Sequence, residues 1–182
     1  MERNGNIFLR LLIKNKYFWQ NIYMAKLLKI IIHPDDRLRK ISETVSLEEL
    51  NSPEFQALLQ DMDLTMKKKD GAGLAAPQVG RHLRLIVIAD ETKSLIMINP
   101  RLTKKSWAKV TEEEGCLSVL DDKGEIIYAP VERHKKVNCV YLDAKGNQKK
   151  ISAEKMLARV IQHEIDHLDG ILFVDKIADK KN

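Results

Sequence analysis

The residues best suited to chemistry are two histidines and a glutamate near the carboxyl end of the chain, in the run His163-Glu164-Ile165-Asp166-His167. Residues four apart lie one above the other on an α-helix, so His163 and His167 would share one face. Their imidazole nitrogens could then bind one divalent metal, while Glu164 handles the proton of an activated water. This spacing indicates a metal-dependent hydrolase.

A helix over residues 153–168 is predicted to carry this pair. Ser152 is suited to cap its amino end, and Gly170 follows its last apolar residue. At about 100° per residue, Met156 and Val160 fall on the same stripe as His163. The two histidines would therefore face a partly apolar cleft.

A catalytic metal normally has three protein ligands, so a third must come from elsewhere in the chain. No glutamate follows Glu164, and Phe173 stands where one metallopeptidase motif requires a third histidine. Cys116 is the better upstream candidate because Gly115 lets the backbone approach closely. Cys139 lies in a strand-like run, where a lone cysteine is usually a small buried hydrophobe. A thiolate and two imidazoles suit zinc or iron(II) better than magnesium or calcium.

Two alternative functions remain open at this point. A metallopeptidase is disfavoured by the missing downstream ligand and by a cysteine in the ligand set. In a non-catalytic zinc-stabilised module, Cys139 would join Cys116, His163 and His167 as a fourth ligand. The glycines at positions 71 and 73 do not complete a dinucleotide-binding or P-loop motif.

Three separated motifs resemble the peptide deformylase family. They are GAGLAAPQ at residues 71–78, EGCLS at 114–118 and QHEIDHL at 162–168. The likeness extends from about Met24 to residue 176, which predicts a catalytic domain over residues 24–176. It implies a single-domain α+β fold in which antiparallel β-sheets pack around the C-terminal metal-binding HExxH helix.

The resemblance implies a metal-dependent hydrolase that removes the N-formyl group from the N-terminal methionine of newly made polypeptides and releases formate. Its metal ligands match Cys116, His163 and His167. Its general acid/base matches Glu164, and its oxyanion donors match the backbone N–H of Leu117 and the side-chain amide of Gln78. One divalent metal ion per chain is expected, with iron(II) as the native metal and zinc, nickel or cobalt as accepted substitutes.

The substrate is expected to bind as an added strand, with one pocket for its first side chain. Gly71 is predicted to end the preceding helix, and Gly73 to leave backbone free for this pairing. The residues predicted to bind substrate are Gly73, Ala72, Gly115, Arg133, Met156 and Val160. The expected partners are N-formylmethionyl nascent peptides and, transiently, the ribosome, where the lysines near the carboxyl end could touch RNA phosphates; neither DNA nor a membrane is expected.

The first 23 residues differ from the rest of the chain. They carry a charge of +3, from four basic residues against Glu2, out of a net +5 for all 182 residues. Residues 1–23 are predicted to be an N-terminal extension, either from a misassigned start codon or as an organelle presequence. Residues 177–182 form a Lys-rich tail.

Two isolated cysteines favour a reducing compartment, and a bacterial cytoplasmic location is expected, with an organelle as the alternative.

The remaining pattern predicts one long helix and six strands. The helix runs from Ser52-Pro53 to Asp70-Gly71, and a turn at residues 143–146 joins the last two strands in a hairpin. The predicted strands are residues 83–89, 95–99, 107–111, 125–128, 137–142 and 148–151. The acidic loop at 120–124 is expected to border the substrate groove. No apolar run approaches the ~20 residues that span a bilayer.

Overall fold

The computed structural model describes residues 24–91 and 93–177. The predicted extension at residues 1–23 and all of the Lys-rich tail beyond Ile177 lie outside the described residues. In the part that is described, no helix is both long enough and apolar enough to cross a membrane.

The described residues form three α-helices, α1 (Leu47–Leu50), α2 (Pro53–Lys68) and α3 (Lys155–Leu168). Short 3-10 helices occupy Asp36–Arg39, Ala76–Val79 and Phe173–Lys176. Helix α2 begins as predicted, because the Ser52 hydroxyl accepts a hydrogen bond from the Phe55 amide at 3.1 Å and Pro53 fills the first helical position.

In the part of the chain that the structure describes, seven strands form two antiparallel sheets. They are β1 (Gly73–Ala75), β2 (Leu85–Ile88), β3 (Leu95–Lys105), β4 (Lys109–Leu120), β5 (Ile126–His134), β6 (Lys136–Leu142) and β7 (Gln148–Glu154). Five of them pair in the order β1-β2-β3-β6-β7, while β4 and β5 form a separate two-stranded sheet. The predicted α+β class with antiparallel sheets is confirmed.

The larger sheet lies between α2 and α3. Side chains alternate across it, so Leu85 and Val87 of β2 pack against α2, whereas Ile86 and Ile88 pack in the cluster that holds α3. Because β2 is buried on both faces, its sequence is an unbroken apolar run. Helix α3, which carries the histidine pair, is thereby fixed against a rigid sheet.

Several predicted boundaries were wrong. Helix α3 begins at Lys155 rather than at residue 153, because β7 continues to Glu154, where it pairs with β6. Ser152 therefore lies in a strand and caps nothing. At the end of α2 the left-handed residue is Asp70, with φ of 52°, and not Gly71.

Strands β4 and β5 are longer than predicted. Strand β4 runs through the whole Cys116 motif, and β5 extends through Arg133. Strand β4 is hard to recognise from the sequence because residues 111–114 are all polar. Most of these side chains are exposed, so polar and apolar residues do not alternate here. The hairpin between β6 and β7 is confirmed, and the Asp143 carboxylate accepts hydrogen bonds from the Lys145 and Asn147 amides, both at 2.9 Å.

Candidate metal centre

Strand β4 and helix α3 bring three potential metal ligands together. One ligand atom from each of Cys116, His163 and His167 lies within 4.8 Å of the others. Cys116 and His167 are buried, and the His163 side chain is 11% exposed. Cys116 Sγ is 3.3 Å from His167 Nε2. This is the one group of three or more such side chains within the described residues.

Cys116 lies where the pairing of β4 with β5 is interrupted, between Gly115 and Leu120. A Cβ atom on Gly115 would fall 2.9 Å from Cδ1 of the Tyr128 ring, so glycine allows the close approach that the sequence predicted. The thiol group accepts hydrogen bonds from the Ser118 amide and from Gln78 Nε2, each at 3.4 Å. These two contacts fix the position of the sulfur beside the imidazoles.

His163 is oriented by Glu114, whose carboxylate lies 3.0 Å from Nδ1. Because an ionised carboxylate only accepts hydrogen bonds, Nδ1 carries the proton and Nε2 is left for the metal. Both oxygens of Glu114 are saturated, by Arg133 at 2.8 and 2.9 Å and by Arg159 at 2.6 Å. Burial alone would raise the pKa of Glu114, but the bonds from Arg133 and His163 outweigh it and lower the pKa to about 2.

The charge network extends behind the ligands. Arg133 also pairs with Asp166, and Asp166 accepts from Lys176 Nζ at 2.7 Å. The chain of contacts thus links the 3-10 helix Phe173–Lys176 to Glu114, and through it to His163. Because each buried charge has a partner, the desolvation cost of the cluster is offset.

The two imidazoles differ in their electrostatic surroundings. Burial would lower the pKa of His163, but hydrogen bonds with Cys116 and Glu114 and the nearby negative charges raise it to about 10. The groups around His163 therefore favour a positive charge, which a divalent cation supplies. Burial, with His163 and Arg133 adding to it, lowers the pKa of His167 well below its ordinary value, so this ring stays neutral, as a ligand must.

Glu164 lies beside the ligands and is buried, with one carboxylate oxygen that no described residue hydrogen-bonds. Burial raises the pKa of Glu164 to about 7. A carboxyl group with this pKa can both accept and return a proton near neutral pH. The arrangement of a soft three-ligand set beside an acid/base carboxyl fits metal-assisted hydrolysis.

A family model for polypeptide deformylase matches residues 27–182. The chain belongs to the polypeptide deformylase family. Members of this family are metal-dependent hydrolases that remove the formyl group from an N-terminal methionine, so the predictions of family, reaction and metal dependence are confirmed.

Relatives and solved structures agree with this assignment. Peptide deformylase of Mesorhizobium japonicum is 42% identical over 157 residues, covering 84% of this chain and 85% of that protein. Peptide deformylase of Treponema pallidum is 43% identical over 144 residues, covering 79% and 84%. The Met-Ala-Ser-bound structure of the Acinetobacter baumannii class I type b peptide deformylase superposes with a TM-score of 0.79 at 36% identity, covering 85% of this chain and 100% of that one.

In this deformylase-family chain a cavity of about 240 Å³ opens onto the ligands. Among the residues predicted to bind substrate or stabilise the oxyanion, those lining it are Ala72, Gly73, Gln78, Gly115, Leu117, Met156 and Val160. Arg133 does not line it. The structure places Arg133 behind Glu114, 4% exposed, because its guanidinium is taken up by Glu114 and Asp166.

The predicted role of the acidic loop also needs correction. Residues 121–124 form the turn of the β4–β5 hairpin and do not line the cavity, which Ile126 and Tyr128 border instead. Asp121 is occupied in the turn, where its carboxylate accepts hydrogen bonds from the Lys123 and Glu125 amides at 2.9 Å.

Cys139 is remote from the ligand group. It lies on β6 opposite Leu102 and Ile151 and packs in the apolar cluster beneath α3. Burial raises the pKa of its thiol to about 11. A four-ligand zinc site closed by Cys139 is therefore wrong, and the small buried hydrophobe predicted from the sequence is what the structure shows.

Glu114 was assigned no role from the sequence, and Arg159 was expected near the pocket for the first substrate side chain only through the family resemblance. Glu114 was visible within the EGCLS motif, and a ligand histidine usually donates its second ring N–H to a carboxylate. That rule predicts a carboxylate near His163 without saying which one. Arg159 falls near the metal-binding stripe of α3, yet its bonds to the backbone carbonyls of Val110 and Val131 depend on tertiary structure.

Proposed function

We propose that this chain deformylates N-formylmethionyl nascent peptides with Glu164 as general acid/base and one divalent cation held by Cys116, His163 and His167. The observation that carries the proposal is the convergence of these three ligand atoms beside a buried carboxyl with an unpaired oxygen. We infer that iron(II) is the native metal, with zinc, nickel or cobalt able to replace it, because all accept this mixed thiolate and imidazole set.

The chain's own groups fit such a cation. Three protein ligands leave a coordination position for water or substrate. When bound, the cation lowers the pKa of a water molecule and polarises the formyl carbonyl. The hydrogen bond from His163 to Glu114 fixes the ring, and the Gln78 and Ser118 donors fix the thiolate, so the ligands need little rearrangement.

Glu164 moves the proton. Its carboxylate accepts a proton from the attacking water as the water oxygen bonds to the formyl carbon. It then returns that proton to the leaving nitrogen as the C–N bond breaks, which yields formate and a free amino terminus. In the metal-free protein, burial raises the pKa of Glu164 to about 7, a range in which a carboxyl group can both accept and return a proton.

Gln78 and Leu117 are the proposed hydrogen-bond donors to the negative charge that develops on the formyl oxygen. The Gln78 side chain is held in one orientation, since its Oε1 accepts from the Ala75 amide at 2.8 Å and its Nε2 points to Cys116 and Ser118. Leu117 lies in the segment of β4 that is released from pairing with β5. Loss of one such donor typically costs ~10²–10³ in rate.

An extended peptide can bind between two strand edges. Among the described strands, β1 pairs only with β2 and β4 pairs only with β5, and both line the cavity, through residues 73 and 113–117 respectively. A substrate strand would gain main-chain hydrogen bonds there. Its position is limited by Gly73 and Gly115, whose neighbours leave no room for a side chain.

The first side chain of the substrate is placed against α3. Met156 and Val160 line the cavity with Ala72, and the same three residues border a second groove of about 840 Å³. Met156 is 63% exposed, so it can adapt to a flexible methionine side chain. The larger groove offers space for the residues that follow the methionine.

We infer that the protein acts in the bacterial cytoplasm. The relatives named above come from bacteria, and the two cysteines are unpaired, which supports a bacterial cytoplasmic enzyme. Transient contact with the ribosome remains a proposal. Of the lysines expected to mediate it, Lys176 is already paired with Asp166. The assignment of residues 1–23 as an extension and of 24–176 as the catalytic domain stays a prediction.

The test is formate release from a formyl-Met peptide under oxygen-free conditions, with iron(II) or nickel supplied. We expect the intact chain to release formate and Glu164→Gln to lose several orders of magnitude in kcat while it still binds one metal per chain. Mass spectrometry of the products separates the alternatives. A cleaved peptide bond with the formyl group intact would indicate a metallopeptidase, and no reaction by the metal-loaded protein would refute the proposal.

A further inference from the structure

Trp107 lies in the turn between β3 and β4 with its side chain fully exposed, at 101% relative to a reference residue. Tryptophan is usually highly buried, because its large ring gains more from leaving water than most side chains do. A ring that stays in solvent in the folded chain is available for a partner.

The turn that carries Trp107 is held rigidly from both sides. The Ser106 amide donates to the Lys136 carbonyl and the Lys135 amide donates to the Ala108 carbonyl, both at 2.9 Å. The Ser106 hydroxyl donates to the Ala108 carbonyl at 2.7 Å, and its carbonyl lies 2.6 Å from His134 Nδ1. The ring therefore projects from a preorganised support, which lowers the entropy cost of binding.

The surroundings of the ring are strongly basic. The two segments that meet here, residues 103–109 and 134–136, contain five lysines and no aspartate or glutamate. Two of the lysines have partners just outside the segments, Lys109 with Glu132 at 2.6 Å and Lys136 with Glu154 at 2.9 Å. Within the described residues, no carboxylate lies at ion-pair distance from the other three, which are Lys104, Lys105 and Lys135.

We propose that this surface, termed the Trp107 turn, binds single-stranded RNA, with the indole stacked on a base and the lysines paired with phosphates. Aromatic stacking combined with a basic surface is how proteins bind single strands without sequence preference. This activity is separate from deformylation and does not depend on it. The net charge of the whole chain does not reveal this basic turn, because acidic residues elsewhere in the chain offset its lysines.

Other occupants fit the Trp107 turn less well. A second copy would bring its own Lys104, Lys105 and Lys135 against the same three lysines, and like charges repel. A membrane surface would attract the lysines, but interfacial binding also needs a broad apolar face. Here only Trp107 and Ala108 of the turn are apolar, so insertion would bury a single large side chain.

RNA bound at the turn would leave the active site open. Strand β4 begins at Lys109, beside the turn, and reaches Cys116 seven residues later. At about 3.3 Å per residue this is roughly 23 Å. Turnover of a short formyl-Met peptide should therefore be independent of the Trp107 turn, and this separates the two activities.

The experiment is fluorescence anisotropy of a labelled oligouridylate titrated with the full chain at salt concentrations from about 50 to 200 mM. Trp107→Ala should weaken binding roughly tenfold, and Trp107→Phe should restore most of it. The triple variant Lys104→Glu, Lys105→Glu, Lys135→Glu should bind more weakly still. It should also reduce the slope of log K against log salt by about 2, as expected for three lost phosphate contacts.

A matched control carries three charge reversals elsewhere, Lys29→Glu, Lys68→Glu and Lys69→Glu, which give the same net charge. Every variant retains residues 1–23, so their basic side chains cannot explain a difference. The proposal would be overturned if the control triple weakened binding as much as the turn triple, or if Trp107→Ala bound RNA normally. It would also fail if phosphatidylserine vesicles, and not RNA, were bound in a Trp107-dependent way.

Discussion

A Cβ atom on Gly73 would lie 2.8 Å from Cδ of Glu164, so the absence of a side chain at position 73 is what allows β1 to lie against this carboxyl group. From the sequence, Gly73 was expected to leave backbone free for the substrate. The structure adds a second role. Gly73 fixes how closely the proposed acid/base approaches the edge strand on which the peptide would pair.

Gly73→Ala should therefore reduce kcat far more than it affects metal binding. The added methyl group must displace the Glu164 carboxyl or the β1 backbone, and a shift of about 1 Å in a reacting group can cost roughly 10² in rate. Formate release and metal content measured on the same sample test this. Gly124→Ala is the control, because an alanine is strained at this left-handed position (φ 82°) but its methyl group would meet no atom within 4 Å. Equal losses in both variants would show that the effect is general strain.

Glu114→Gln should lower metal affinity about 10- to 100-fold, the usual cost of removing a carboxylate that orients a ligand histidine. The amide cannot accept strongly from both His163 and two arginines, and it leaves Arg133 and Arg159 less well neutralised. Competition with a chelator gives the affinity, and the visible spectrum of the cobalt-loaded protein reports the ligand geometry. Lys176→Met, at the far end of the same network, is the control and should change the affinity much less. If Glu114→Gln retained both affinity and spectrum, Glu114 would not position His163.

The clustering of Cys116, His163 and His167 could be predicted because most of its signal lies in short stretches of sequence. Two histidines four apart identify one helix face, and the motif around Cys116 adds the third ligand through family resemblance. Glu114 and His163 are 49 residues apart, and their contact exists only because β4 packs beside α3. The wrong prediction for Arg133 has the same cause. Arg133 lies behind Glu114 and not in the cleft because it pairs with Glu114 and Asp166, which come from different elements.

Cys139→Ala should leave metal content unchanged and lower the free energy of unfolding by about 1–2 kcal/mol, as expected for a small buried side chain removed from an apolar cluster. Chemical denaturation measures the stability, and metal analysis of the purified variant measures the stoichiometry. Cys116→Ala is the matched comparison and should lose the metal. Loss of metal in the Cys139 variant would contradict the separation of the two thiols seen in the structure.

Glu164→Gln should alter how the stability of the metal-free protein depends on pH. Burial raises the pKa of Glu164 from 4.5 in the unfolded chain to about 7, so the folded protein holds a proton that the unfolded chain releases. The stabilisation from this group is complete below pH 4.5 and is lost as the pH rises through 7. At about 1.4 kcal/mol per pH unit, the wild type should lose roughly 3 kcal/mol of unfolding free energy over this range. The glutamine variant should retain it. Urea unfolding of chelator-treated protein on either side of this range tests the difference, and parallel pH profiles for the two proteins would show that Glu164 titrates normally.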